Sequence, residues 1–254
     1  MLLFLSDLDN TLLFSHRYRE AGDVCVEWLD GREQGFMTAN VWAKLGRLPE
    51  TVRLIPVTTR SVEQYRRIQW PEAPEWAVTT NGGILLGPSG PDPAWLETAR
   101  AFVEPYQADL ARADAALAEE TWCLRRQMVD ALYLFAVSED PETAARGAVG
   151  FPAGPLSVGV SGRKVYFFPP GLDKGMAGRL LKKRFGPCRT VCAGDSPLDL
   201  PMLREAEIAL VPDPELAAQC RGTVRICPKD RRFSDFVLEE VERLTHADAS
   251  PETF

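Results

Sequence analysis

Four short segments of the chain carry residues able to do chemistry. Ser6-Asp7-Leu8-Asp9-Asn10-Thr11 follows directly on the apolar run 2–5, so both carboxylates stand where a buried strand ends, the place at which open α/β sheets build their sites. Two carboxylates there repel each other and persist most easily with a cation or a shared proton between them. Magnesium, a hard ion that takes oxygen ligands and keeps several waters, suits the pair. Taken alone, the pair serves as readily to cap the following turn. A second acidic segment, Gly194-Asp195-Ser196-Pro197-Leu198-Asp199, closes the apolar run 190–193. Its glycine permits the sharp turn that lets Asp195 and Asp199 face the same cavity as Asp7, and turn-former and helix N-terminus are the plainer roles open to them. Asp173-Lys174-Gly175 opens a helical pattern from which Lys174 can reach the carboxylates and offset their charge. Val57-Thr58-Thr59-Arg60 ends another apolar run with hydroxyls that either donate to a phosphoryl oxygen or cap a helix.

The elements that must position these groups alternate. Apolar runs at 2–5, 52–57, 76–78, 190–193, 208–211 and 224–226 read as strands buried on both faces, and helical patterns at 38–48, 62–68, 174–185, 199–205 and 215–220 lie between them. Such alternation implies a parallel sheet covered by helices. The middle of the chain differs: an alanine-rich helix over 94–120, strand-like runs at 131–137, 156–160 and 164–168, and a helical stretch PETAARGAV read as an α+β module bracketed by the linkers GPSGPDP and FPPGLD. The fold class expected is therefore α/β, a Rossmann-like parallel sheet core over 1–83 and 169–254 with an α+β domain inserted over 84–168. The run 24–29 with Asp30-Gly31 predicts a hairpin, 233–244 a closing helix, and HADASPETF a frayed end.

Composition bounds the partners. With 254 residues, 45% hydrophobic, and a formal charge of −7, the chain can bury a large core and lacks the basic face that nucleic-acid backbones demand. It shows no apolar stretch of membrane-spanning length and no leader-like start, so a cytoplasmic protein is expected. The cysteines Cys25, Cys123, Cys188, Cys192, Cys220 and Cys227 form no CxxC pair and read as buried free thiols.

In order and spacing, Asp7-Leu8-Asp9-Asn10-Thr11, Thr58, Lys174, and Asp195 with Asp199 resemble the four motifs of the haloacid dehalogenase superfamily from end to end of the chain. VTTRS, TNGG, LDKG and GDSPLDLPML resemble its Cof and sucrose-phosphatase branch, in which a cap is inserted between the second and third motifs, where 84–168 lies. The resemblance implies a magnesium-dependent phosphatase acting on a small phosphorylated metabolite such as a sugar phosphate. Asp7 would be the nucleophile and Asp9 the acid/base. Thr58 and Lys174 would hold the phosphoryl group, and Asp7, Asp9 (through its carbonyl), Asp195 and Asp199 would hold the metal. Thr59, Arg60 and Asn81 are expected near the substrate, and Arg163 and Lys164 could contact a polar or anionic leaving group. His16, near the first motif, reads as a loop residue. Many relatives have Asn where Leu198 stands and Gly where Thr59 stands, departures that bear on the metal's surroundings and on the phosphate-binding turn. A phosphomutase uses the same acids and is told apart by a phosphorylated, isomerised product. A noncatalytic phospho-ligand sensor or a receiver domain is the reading from another class; a receiver would place its aspartate after an interior strand and lack the insertion.

Overall fold

The computed structural model describes residues 1–249; of the end expected to fray over 246–254, residues 246–249 continue the closing helix and 250–254 lie outside the described residues. Five parallel strands form the central sheet in the spatial order Thr223–Ile226, Ile208–Val211, Arg189–Ala193, Leu2–Ser6, Val52–Pro56. Leu2–Ser6 is buried at every position because neighbours flank it on both edges and helices cover both faces, which is why its sequence is continuously apolar rather than alternating. Strand register decides where the chemistry-bearing segments emerge. Ser6 is level with Ala193 on one side and with Pro56 on the other, so the segments that begin at Asp7, Gly194 and Val57 leave the sheet side by side at its carboxyl edge.

Val57 bridges to Val78 in the short strand Ala77–Thr79, on which Ile84–Gly87 folds back antiparallel. The hairpin Val24–Leu29 with Arg32–Met37 forms as expected, with Asp30 (φ 51°) and Gly31 (φ 74°) supplying the left-handed turn. A second sheet is antiparallel, in the order Ser157–Ser161, Lys164–Phe168, Tyr133–Val137, Arg125–Val129. The helices Gln107–Glu119 and Pro141–Gly150 pack on this sheet. Residue alternation sets its other face: Phe135 and Val137 on one strand lie level with Tyr166 and Lys164 of the next, Tyr133 follows on the same face, and all five line a cavity above the carboxyl edge of the parallel sheet.

Several expected boundaries move for physical reasons. The helix read over 94–120 is two, Pro93–Val103 and Gln107–Glu119, joined by a 3-10 turn at Glu104–Tyr106 where Pro105 can supply no amide hydrogen. Arg125–Val129 is a strand although its residues are mostly exposed and carry no alternation to mark it; pairing with Tyr133–Val137 makes it one. The short helices shrink to Val62–Arg66, Leu200–Leu203 and Pro214–Ala217, while the closing helix extends over Phe233–Ala249. Of the six free cysteines only Cys192 and Cys227 are buried; the other four are half-buried. Among the described residues no helix is long and apolar enough to cross a membrane.

Candidate active site

Lys174 organises the centre. Asp173 caps the helix Lys174–Phe185, its side chain accepting from the Met176 amide at 2.7 Å, so Lys174 is the first helical residue and points back at the sheet edge. Its side chain is 2% exposed, and the ammonium donates to Asp7 Oδ1 at 2.6 Å and to Asp199 Oδ1 at 2.5 Å. Burial works against the charge, yet Asp199 and Asp7 together hold the ammonium protonated well beyond the usual lysine range.

Asp199 is fixed by its other oxygen, which accepts from the Asp195 and Ser196 amides at 3.1 and 3.0 Å and from the Ser196 hydroxyl at 2.9 Å. Gly194 makes this possible: a Cβ there would sit 2.4 Å from the Asp199 Cβ. Asp195 takes weaker bonds from Asn10 at 3.3 Å and Thr11 at 3.4 Å. Carboxylate oxygens of Asp7, Asp195 and Asp199 lie within 4.8 Å of one another. Three acids thus face one ammonium, and the imbalance shows. Burial, with Asp199 and Asp195 nearby, raises the Asp7 pKa well above the ordinary range despite Lys174, and burial with Asp199 pushes Asp195 up to about 7. An all-oxygen cluster with surplus negative charge fits a hard divalent cation.

Asp9 belongs to a different arrangement. Arg60 forks onto it, with Nε 2.9 Å from Oδ2 and Nη2 2.8 Å from Oδ1, and its third nitrogen reaches Glu27 Oε2 at 2.9 Å. Arg67 Nε lies 3.4 Å from the other Glu27 oxygen. Desolvation in the cleft works to raise the Asp9 pKa, but the Arg60 charge and its hydrogen bonds more than offset it, and the pKa falls below the ordinary value. Arg60, expected near the substrate, is thus engaged with Asp9. Glu27 carries no signal in the sequence: it is an acid within an alternating strand, and only the folding of the hairpin over the sheet edge buries it beside two arginines.

The other expected residues divide. Thr58 is fully buried, its hydroxyl accepting from the Arg60 amide at 3.1 Å, and its neighbour Thr59 lines the cavity, where the Thr59 carbonyl accepts from Tyr133 Oη at 2.6 Å. Asn81 does not line the cavity. In the left-handed conformation (φ 54°), it donates to the Leu172 carbonyl at 3.2 Å, while Gly82 (φ 104°) leaves room for the Asp173 carbonyl, so the two crossings between the sheets are tied together here. Leu198 reaches the antiparallel sheet: a Cβ on Gly159 would lie 2.4 Å from its Cδ2. That contact gives a reason for an apolar residue at 198. His16 sits in the short turn His16–Tyr18, exposed and outside the cavity lining, as a loop residue.

The parallel sheet with its separate antiparallel sheet is a fold shared with solved structures of HAD-superfamily proteins. Solved structures that share it along nearly the whole chain include sugar phosphatases. The sucrose-phosphatase from Synechocystis, in complex with sucrose and phosphate, is 18% identical with a TM-score of 0.66, covering 97% of this chain and 98% of its own. A HAD subclass IIB sugar phosphatase is 13% identical with a TM-score of 0.61, covering 97% and 99%. The C-terminal domain of the C. albicans trehalose-6-phosphate phosphatase is 12% identical with a TM-score of 0.54, covering 96% and 92%. No family model matches the chain, and no curated protein matches it at a significant level.

Proposed function

We propose that the chain is a magnesium-dependent phosphatase that hydrolyses a small phosphomonoester through an aspartyl phosphate. The observation that carries this reading is the Lys174 ammonium bound at once to Asp7 and Asp199, which aims a buried carboxylate at the cavity while the acid/base candidate, Asp9, is held separately by Arg60. Asp7 Oδ attacks phosphorus, and the ester oxygen leaves with a proton from Asp9. Asp9, then a carboxylate, takes a proton from water, which attacks the same phosphorus and returns Asp7 to its starting form. Arg60 favours the Asp9 carboxylate, the form the second step uses as base; to carry the proton of the first step Asp9 must exchange the Arg60 fork for the ester oxygen as substrate enters. Lys174 would hold phosphoryl oxygens beside Thr59, which lines the cavity; Thr58, fully buried and outside that lining, could add only its hydroxyl hydrogen from behind. Magnesium, held by Asp7, Asp195 and the Asp9 carbonyl with Asp199 behind, would supply charge to offset that of the phosphoryl group.

In this reading 1–83 and 169–254 form the catalytic core and 84–168 a cap whose antiparallel sheet covers the substrate; both domains line the cavity of about 410 Å³, a volume suited to a small metabolite. Six unpaired cysteines fit a reducing compartment such as the cytoplasm. The test is phosphate release from a panel of phosphorylated metabolites and p-nitrophenyl phosphate. Release that requires magnesium is expected; no release from any of them, or an isomerised product that keeps its phosphate, contradicts the reading.

Magnesium should also act on stability, with a definite pH dependence. Without metal, Asp195 binds its proton more tightly in the folded chain than in the unfolded one, so its contribution is present below the ordinary carboxylate pKa and is lost as pH rises toward about 7. Asp7, also raised, acts in the same direction. Magnesium binds the deprotonated acids, and thermal melts should show it raising Tm by about 3 °C or more near pH 7.5 and by less near pH 5.5. Equal shifts at both pH values would count against the metal site.

A further inference from the structure

The cavity has an unequal distribution of unmatched charge. Its lining carboxylates are Asp7, Asp9, Glu27 and Asp195. Lys174 takes Asp7, Arg60 takes both oxygens of Asp9 and one of Glu27, and Arg67 stands by the other Glu27 oxygen. Asp195, itself one of the proposed metal ligands, is the acid left without a cation at ion-pair distance among the described residues. On the opposite wall two cations are left over, Arg163 and Lys164, for which no carboxylate lies within ion-pair distance among the described residues.

Strand register explains how they come together. Arg125, Val137, Lys164 and Ser161 form one row across the antiparallel sheet, paired in turn, and Arg163 stands in the turn beside Lys164. The Lys164 ammonium lies 5.5 Å from the centre of the Phe135 ring and the Arg125 guanidinium 5.7 Å from it. A ring face is the only partner either cation has among the described residues, a modest compensation for an ammonium half-withdrawn from water. Desolvation, with Arg60, Arg125 and Arg163 nearby, lowers the Lys164 pKa even though Asp9 acts to raise it. Asp9 acts on Lys164 only at a distance: its one ion pair among the described residues is with Arg60, and it lies outside ion-pair distance of the Lys164 ammonium.

We propose that the leaving group of the substrate carries a second anionic group, a carboxylate or a phosphate, which Lys164 and Arg163 bind with the Ser161 hydroxyl on the antiparallel-sheet wall of the cavity. The inference rests on the phosphatase reading. It narrows the substrate from phosphomonoesters in general to those whose alcohol is itself an anion. A sugar phosphate whose alcohol is uncharged would leave both cations without a counter-charge.

Matched pairs test it: glucose 6-phosphate against 6-phosphogluconate and glycerol 3-phosphate against 3-phosphoglycerate for a carboxylate, fructose 6-phosphate against fructose 1,6-bisphosphate for a second phosphate. Each compound is assayed by kcat/KM and also as a competitor of p-nitrophenyl phosphate, so that one turned over slowly still reports its affinity. The anionic member of one class should be preferred about tenfold or more, the effect expected of a charge-assisted contact. Lys164→Met should cut that preference ratio by about tenfold and Arg163→Gln by less, with added salt eroding the wild-type ratio. A ratio near one in every pair, or a Lys164→Met effect equal on both members, overturns the proposal while leaving the phosphatase reading intact. Absence of hydrolysis of p-nitrophenyl phosphate and of every pair removes the phosphatase reading itself, and this inference with it.

Discussion

Replacing Asp7 with Asn should lower kcat by on the order of 10⁴-fold or more while leaving the chain folded. The amide is nearly isosteric but has no anionic oxygen to attack phosphorus, and loss of a nucleophile removes the covalent route entirely. Folding should survive because Asp7 is under strain as a charge. Burial and the neighbouring Asp199 and Asp195 all oppose its ionisation, and Lys174 keeps Asp199 as a partner when Asp7 is gone. Steady-state phosphate release measures the first part and a thermal melt the second. A variant that retains a tenth of the activity, or that loses activity by unfolding, contradicts the assignment.

Lys174→Met is expected to have the larger effect on stability. It leaves Asp7 and Asp199 facing each other without the ammonium between them, and breaking a buried ion pair from one side costs about 3–5 kcal/mol. The thioether side chain fills much of the lysine stem's space, so the loss is electrostatic rather than a cavity. Urea denaturation of the two proteins without metal should show it as a lowered midpoint at unchanged slope. Lowering the pH toward 5 should return part of the difference, because Asp7, whose ionisation burial already opposes, then takes up a proton in the folded variant. A midpoint indistinguishable from that of the parent would mean that the ammonium does not hold the acid cluster together.

Much of this site is legible in the chain because its groups sit directly on sheet ends. In Leu2–Ser6 and Arg189–Ala193 a run of apolar residues reports burial on both faces, and whatever follows such a run stands at the carboxyl edge by register alone. Asp7 and Asp195 need no further information, whereas Lys174 is placed by the helix that Asp173 caps. Glu27 and the role of Arg60 are hidden for the opposite reason. Arg60 follows Thr58 and Thr59 at a strand end, which suggests a place beside the substrate, but the acid that accepts its third nitrogen comes from a hairpin whose docking no local pattern specifies. Asn81 misleads likewise: its left-handed backbone and its bond to Leu172 join two points 91 residues apart in the chain. Arg125–Val129 shows the weakness of periodicity at a sheet edge, where exposed polar residues pair as a strand only because Tyr133–Val137 is there to accept them. The break at Pro105, by contrast, stands in the sequence, since a proline within a helical run ends it.

The central claim is that Asp7 becomes covalently phosphorylated during turnover. The most direct measurement is to quench the wild-type protein during steady-state hydrolysis, reduce with borohydride, and map the products by peptide mass spectrometry. Borohydride converts an aspartyl phosphate to homoserine and leaves free carboxylates untouched. The account predicts homoserine at position 7 alone, dependent on both substrate and magnesium. Sustained turnover with Asp7 unmodified and the label on another residue, or inversion of configuration at phosphorus with a chiral substrate, would contradict it.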